Sequence, residues 1–191
     1  MKYTDTYGNK FFRRRHKFEQ AEQEIAQILI EHFNPVSVLD LGCGIGSFLN
    51  LFHARGIEVA GCDVGYSHAV KYMQPEIIPH TFGFDLGTPL QMPKKYDLVM
   101  SVEVAEHLPE EAAGQFCQNI VSNAFGWIFL TASNTSAGKG HINPQENQYW
   151  IEMMTANGAE YQQHKTNLLR EDLGGLMGLK KLAMVFKMEG A

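Results

Sequence analysis

An α/β fold is predicted, with a doubly wound, mostly parallel sheet and helices on both faces. Three observations predict it. Five short apolar runs alternate with helical stretches, the later runs are apolar throughout, and three glycines crowd the point where the first run meets a helix. Strands separated by helices pair in parallel through right-handed crossovers. A strand covered on both faces reads as an unbroken apolar run rather than an alternating one.

The opening MKYTDTYGNKFF is polar and turn-rich, so it is expected to be extended or mobile without a ligand. From Arg13 to Phe33 the pattern is helical, with Phe18, Ile25, Leu29 and Phe33 near one face and Asn34-Pro35 as the stop. VSVLDL follows as the first strand, and residues 47–55 form a helix closed by Gly56. Ile57 to Asp63 is the second strand, and Ser67 to Met73 a short helix with Ser67 as its N-cap. A third strand lies near Ile77 to Phe84, and YDLVMSVEV is the fourth. Pro109 to Phe125 is a helix with proline in its first turn. Trp127 to Ala132 is the fifth strand, and Ser133 to Pro144 a polar loop too long for a mere connector. Gln145 to Asn157 reads as a helix ended by Gly158. The tail offers one good strand, Leu182 to Met188, and a weaker one near Ala159 to His164. With no internal repeat or linker, the organisation expected is one compact domain over residues 35–191, preceded by an N-terminal segment and helix over residues 1–34.

The 191 residues, 45% hydrophobic and 19% charged, suit one globular domain with a sizeable core and exclude a disordered tail. A net charge of −5 and a pI near 5.9 give no electrostatic footprint for nucleic acid or an anionic membrane. Cys43, Cys62 and Cys117 are odd in number and lack metal-ligand spacing, which fits reduced thiols. No apolar run approaches the ~18 residues of a membrane span, and the start has no signal-peptide core. A soluble, cytoplasmic protein is expected.

Glycine at a strand-to-helix turn costs backbone entropy, so Gly42, Gly44 and Gly46 imply a ligand that touches main chain. In doubly wound sheets such ligands sit at the carboxyl ends of the strands, where strand order reverses. A dinucleotide fingerprint is G-x-G-x-x-G; here the third glycine comes one residue early, as GCGIG, and Ser47 takes the usual glycine position. Asp63, 21 positions after Gly42, ends the second strand, where a carboxylate accepts from both hydroxyls of a ribose. Otherwise it is a solvated strand-end acid. The pattern indicates a nucleoside-like ligand whose phosphate site is absent or altered.

LDLGCGIG with Asp63, FDL at Phe84 to Leu86 and YDLVMSVEVAEHL at Tyr96 to Leu108 together resemble a class I S-adenosylmethionine-dependent methyltransferase of the small single-domain type. The resemblance covers about Val36 to Gly158. It implies a Rossmann-like sheet ending in an antiparallel hairpin, with S-adenosylmethionine as methyl donor and S-adenosylhomocysteine as product. It further implies that Asp40 and the backbone from Gly42 through Cys43 and Gly44 to Gly46 hold the methionyl end. Asp63 would bind the ribose, Val64 pack on the adenine, Asp85 accept from the adenine amine and Leu86 add a backbone contact. Ser101 to Glu103 would line the pocket beside the sulfonium. Asp85 could instead open a turn, and Cys43 is a small filler rather than a nucleophile.

Methyl transfer from a sulfonium is an in-line displacement, so holding donor and acceptor aligned supplies most of the acceleration. A base matters when the acceptor loses a proton, as a hydroxyl does. Glu103, His107 and His141 are the catalytic candidates, with His107 at the rim where the methyl group would sit and titrating near neutrality. EHL recurs in the family across unlike acceptors, however, so His107 could simply brace a loop. His141, Asn143, Tyr149 and Trp150 are acceptor-pocket candidates from the long loop and following helix; Trp150 reads better as core. Arg13 to Lys17 could grip an anionic acceptor, although a solvated helical turn is the more ordinary role. Tyr3 and Tyr7 could belong to a lid.

No proline-containing turn follows the fourth strand, as it does in methylases of exocyclic base amines. Cys117 falls too far along to be a cytosine-type nucleophile, and Asp97 with Glu103 does not make a metal-dependent catechol site. The expected partner is a small hydroxyl-bearing acceptor, with no duplex nucleic acid and no membrane. The alternatives are N-methylation of an amine or protein side chain, a non-catalytic donor-binding protein, and a nicotinamide oxidoreductase.

Overall fold

The computed structural model describes residues 7–188; the expectations for residues 1–6, Tyr3 among them, fall outside these. Seven strands form one sheet in the order β3-β2-β1-β4-β5-β7-β6. They are β1 (Ser37–Leu41), β2 (Glu58–Asp63), β3 (Thr81–Gly83), β4 (Tyr96–Val102), β5 (Ala124–Thr131), β6 (Ala159–Tyr161) and β7 (Met184–Met188). β1 to β5 run parallel, and β7 is antiparallel to both β5 and β6. The mostly parallel, doubly wound arrangement and its antiparallel end are as expected from the sequence.

The helices are α1 (Asn9–Phe12), α2 (Glu19–Phe33), α3 (Ser47–Ala54), α4 (Tyr66–Ala69), α5 (Ala113–Asn123), α6 (Asn147–Ala156) and α7 (Gln163–Leu173). Alternation along the strands divides the core between two faces. Leu39, Leu41, Val99 and Ile128 pack with Phe116, Ile120, Trp150 and Met154 of α5 and α6. Val38, Val59, Leu98 and Phe129 pack with Ile25 and Leu29 of α2, Leu49 and Phe52 of α3, and Leu169 and Leu173 of α7.

Several local expectations are corrected. The helix expected from Arg13 breaks into a 3-10 turn over Arg15–Phe18 and then α2, which keeps its apolar stripe but starts at Glu19. Ser67 is not an N-cap: Gly65 takes that position, without a side-chain hydrogen bond, and the helix gives way to a 3-10 turn at Val70–Tyr72. Pro109 precedes its helix, which opens as a 3-10 turn at Glu110–Ala112, and Ala124 and Phe125 already belong to β5. The expected tail contained only strands, yet α7 fills residues 163–173 between β6 and β7 and buries Thr166, Leu169 and Leu173 on one face.

The register matters for function. Asp40 stands opposite Gly61 in β2 and Met100 in β4, so the carboxyl ends of β1, β2 and β4 finish side by side. β1 has β2 on one side and β4 on the other, which makes the crevice beyond it the switch point of the sheet.

Candidate functional site

A cleft opens at that edge. The loop after β1 forms its floor. Gly42 adopts φ +94°, and a Cβ there would lie 2.3 Å from Val104 Cγ2, so this segment fits only as bare main chain. Gly44 has φ +55° and meets nothing within 4 Å of where a Cβ would stand, so its backbone is open to a ligand. Its N–H donates to Asp63 Oδ2 at 3.0 Å, and Gly65 N–H donates to Oδ1 at 2.7 Å. These two bonds hold the strand-end carboxylate in the cleft wall.

Of the expected donor-binding residues, Asp40, Gly42, Cys43, Gly44, Asp63, Val64 and Leu86 line this one cleft. The other three serve the surrounding framework. Gly46, at φ +75°, caps α3. Asp85 opens a turn, its Oδ1 accepting from Gly87 N–H at 2.9 Å. Ser101 is fully buried and donates to the Leu41 carbonyl at 2.6 Å. Burial pushes the Cys43 thiol well above its usual range, consistent with a filler rather than a nucleophile.

The electrostatics are one-sided. Glu22, Asp40, Asp63 and Glu103 line the cleft, with Arg15 as the cation facing them among the described residues. Arg15 pairs with buried Glu22. Asp40 is 2% exposed, and its Oδ2 has no hydrogen-bond partner. Burial, followed by the charges of Glu22 and Asp63, raises the Asp40 pKa well above the carboxylate range, with Arg15 offsetting part. A buried, unsatisfied carboxylate in a cleft of excess negative charge calls for a cationic ligand. Sequence reasoning missed Glu22 and offered Arg15 within a run that either grips an anion or is solvated; Arg13, Arg14 and Lys17 are exposed, while Arg15 lines the cleft. Phe11 joins the wall from α1, and Tyr7 lies just before it.

The three catalytic candidates separate into layers. Glu103 lines the cleft at φ +56°, a left-handed turn that ends β4. Its N–H donates to Thr131 Oγ1 at 3.1 Å, and that hydroxyl donates back to Glu103 Oε1 at 2.9 Å. His107 also lines the cleft, with its Nδ1 3.0 Å from the Gly140 carbonyl. Burial lowers the His107 pKa. His141 packs edge-on behind His107, ring centroids 4.8 Å apart. Tyr7 meets the His107 ring edge-on at 5.8 Å. Trp150 is fully buried in the core, and Tyr149 packs against it. Asn143 is buried too; its backbone N–H and that of Ile142 donate to the Glu106 carbonyl, each at 3.0 Å, which ties the long loop to the EHL turn. Glu106 itself, overlooked in the sequence, is fully buried beside both histidines.

The fit to the expected donor rests on these atoms. An orphaned carboxylate oxygen at Asp40 suits an ammonium, bare main chain at Gly42 and Gly44 suits close approach, and Asp63 suits a diol. No helix among the described residues is long and apolar enough to cross a membrane.

Comparisons with known proteins agree with the geometry. A ubiquinone biosynthesis O-methyltransferase of Leptothrix cholodnii is 26% identical over 158 residues, 78% of this chain. The match covers 66% of that relative and 62% of a second one, so the chain spans less than two thirds of the curated relatives' length. Among solved structures, a TehB-like methyltransferase from Corynebacterium glutamicum superposes with a TM-score of 0.65 at 19% identity, covering 87% of this chain and 88% of that one. A magnesium protoporphyrin IX methyltransferase from Synechocystis, solved with S-adenosylhomocysteine, gives 0.60 at 21% identity, covering 88% and 81%. At such identities the structural likeness shows the fold. The methyltransferase-domain model matches residues 13–176, and the chain accordingly belongs to the class I S-adenosylmethionine-dependent methyltransferase family.

Proposed function

We propose that the chain methylates a hydroxyl of a small-molecule acceptor. The observation that carries this reading is one continuous cleft lined by Asp40, the bare Gly42–Gly44 backbone, Asp63 and His107. Bound there, S-adenosylmethionine would supply a methyl group on a positively charged sulfur. Asp40 would hold the ammonium, Asp63 the ribose hydroxyls, and Arg15 the methionyl carboxylate through a charge-assisted bond. The acidic wall favours a cation, and Leu86 and Val64 exclude water around the base. His107 Nδ1 is engaged with a carbonyl, so Nε2 is the nitrogen able to accept the proton that a hydroxyl loses. The O-methyltransferase relatives support a hydroxyl over an amine.

The test incubates the purified chain and S-adenosylmethionine with dihydroxybenzenes, hydroquinones, sugars and primary amines, and measures S-adenosylhomocysteine. Release with hydroxyl acceptors alone is expected. Release with amines alone overturns the acceptor class, and silence with tight donor binding favours a non-catalytic binder.

Arg15→Ala is expected to weaken S-adenosylhomocysteine by about tenfold, the effect of one charge-assisted hydrogen bond. Because Tyr7, Phe11 and Arg15 all line the cleft, we also read the N-terminal segment as a lid. Hydrogen exchange of residues 8–18 should slow on adding that ligand in the wild type and less so in the variant.

A pH dependence follows from the raised carboxyls. Asp40 and Glu106 bind protons more tightly folded than unfolded, Glu106 up to about 8. Their contribution to stability is therefore complete below the ordinary carboxylate range and is lost as pH rises through the raised values. The ligand-free protein should melt lower at pH 8 than at pH 5.5. Affinity for S-adenosylhomocysteine should move the opposite way, since its ammonium needs ionised Asp40. Calorimetry in two buffers of different ionisation enthalpy should show proton release on binding.

A further inference from the structure

Behind His107 lies a buried cluster that the donor site does not use. Glu106 is fully buried, and neither carboxyl oxygen has a hydrogen-bond partner. His107 Nε2 is 3.9 Å and His141 Nε2 3.7 Å from Glu106 Oε1. The other nitrogen of each ring faces a backbone carbonyl: His107 Nδ1 at 3.0 Å from Gly140 O, and His141 Nδ1 at 2.6 Å from Thr135 O. A carbonyl only accepts, so both Nδ1 atoms carry hydrogen and, in the neutral rings, both Nε2 atoms are bare lone pairs. With Glu106 ionised, three acceptors would converge with only the amides of Glu106 and Ser133, beyond hydrogen-bond geometry, to offset them, which a buried site tolerates poorly.

We propose that Glu106 is a positioning residue that stores a proton behind His107 and, with His141, sets His107 as the base for the acceptor. This deepens the O-methyltransferase reading and rests on it. As the new O–CH3 bond forms, the acceptor's O–H bond breaks and its proton passes to His107 Nε2; the S–CH3 bond pair stays on sulfur. Glu106 then gives its own proton to His141 Nε2. The resulting carboxylate faces two imidazolium rings and, with the ionised Glu103 beside it counted, the incoming proton takes the group from one negative charge to neutral.

The surroundings agree with a stored proton. Burial and the charge of Glu103, at the end of β4, push the Glu106 carboxyl up to about 8. Backbone amides of Glu106 and Ser133 pull the other way. From the N-terminal segment, Tyr7 interacts with Glu106, and Arg15 acts on Glu103 and His107. Glu103 is better placed to stay ionised, since Thr131 donates to it.

The experiment is long-range ¹H–¹⁵N NMR of the imidazole nitrogens in the full chain, from pH 5 to pH 10. Both rings should be Nδ1–H tautomers at neutral pH, and their signals should move together with an inflection near pH 8. Glu106→Gln should remove that inflection while S-adenosylhomocysteine affinity stays within twofold, and Glu106→Asp should restore it. An Nε2–H tautomer in either ring, no shared inflection in the wild type, or its survival in the glutamine variant would overturn the proposal. So would stoichiometric Zn²⁺ or Mg²⁺ binding that fixes both rings, since the cluster would then hold a metal rather than a proton. If the variant does not fold, the wild-type tautomers and inflection still decide. Calorimetry with S-adenosylhomocysteine tests the methyltransferase reading separately, because the ring signals need neither donor nor acceptor.

Discussion

Replacing Asp63 with alanine is expected to weaken S-adenosylhomocysteine at least 100-fold in calorimetry. Two charge-assisted bonds to a diol at about 1.5 kcal/mol each give a loss of that order. The carboxylate has a second task, because it also accepts from Gly44 and Gly65 N–H at 3.0 and 2.7 Å. Alanine would leave both amides without their acceptor and loosen the glycine loop, so a lower melting temperature should accompany the lost affinity. Asp63→Asn separates the effects. Its side chain keeps one oxygen for an amide and should recover much of the melting temperature, yet it offers the ribose one acceptor and no charge. An asparagine variant that binds like the wild type would show that the ligand lies elsewhere.

Gly42→Ala should be the most damaging small substitution in the cleft. At φ +94° any side chain is strained, and the new Cβ would fall 2.3 Å from Val104 Cγ2, 3.0 Å from Cγ1 and 3.2 Å from Cβ. Those atoms sit on a short β-branched side chain that has no flexible end to swing aside. Backbone strain and overpacking each cost about 1–3 kcal/mol, so unfolding free energy should fall by roughly 2–6 kcal/mol. The double variant Gly42→Ala with Val104→Ala should recover the overpacking share but not the strain. Denaturant unfolding of the four proteins measures the coupling. If the double variant is no more stable than Gly42→Ala alone, the clash is not what excludes a side chain there.

The parts of the molecule legible in sequence are those set by local pattern. β1, β2, β4 and β5 are apolar runs, and the glycine loop with Asp63 at its fixed distance requires no tertiary knowledge. α7 was overlooked because only Thr166, Leu169 and Leu173 mark its buried face inside an otherwise polar stretch, QHKTNLLREDL. The 3-10 turns at Arg15–Phe18 and Val70–Tyr72 carry helical patterns that packing tightens at their ends. Glu22 and Glu106 were missed, and Arg15 was weighed chiefly as solvated, for a common reason. Charged residues on a helix read as solvated, and only the tertiary fold turns them inward, where Arg15 and Glu22 find each other and Glu106 lies among histidines. The signal for Glu22 was present: it lies four positions after Phe18 and three before Ile25, on the apolar face of α2. Asp85 and Ser101 show the converse: a motif located the right strand ends, while turn chemistry at Asp85 and a buried carbonyl beside Ser101 took the side chains.

The loop from Ser133 to Pro144 is hooked to the Glu106 carbonyl through two main-chain amides, those of Ile142 and Asn143. An anchor made of peptide groups is indifferent to what the loop's side chains are. The exposed side chains of residues 134–137 can therefore be varied, as in a combinatorial library, with the fastening intact, whereas Gly138, where a Cβ would lie 2.1 Å from His141 Nε2, and Gly140, at φ +84°, must stay glycine.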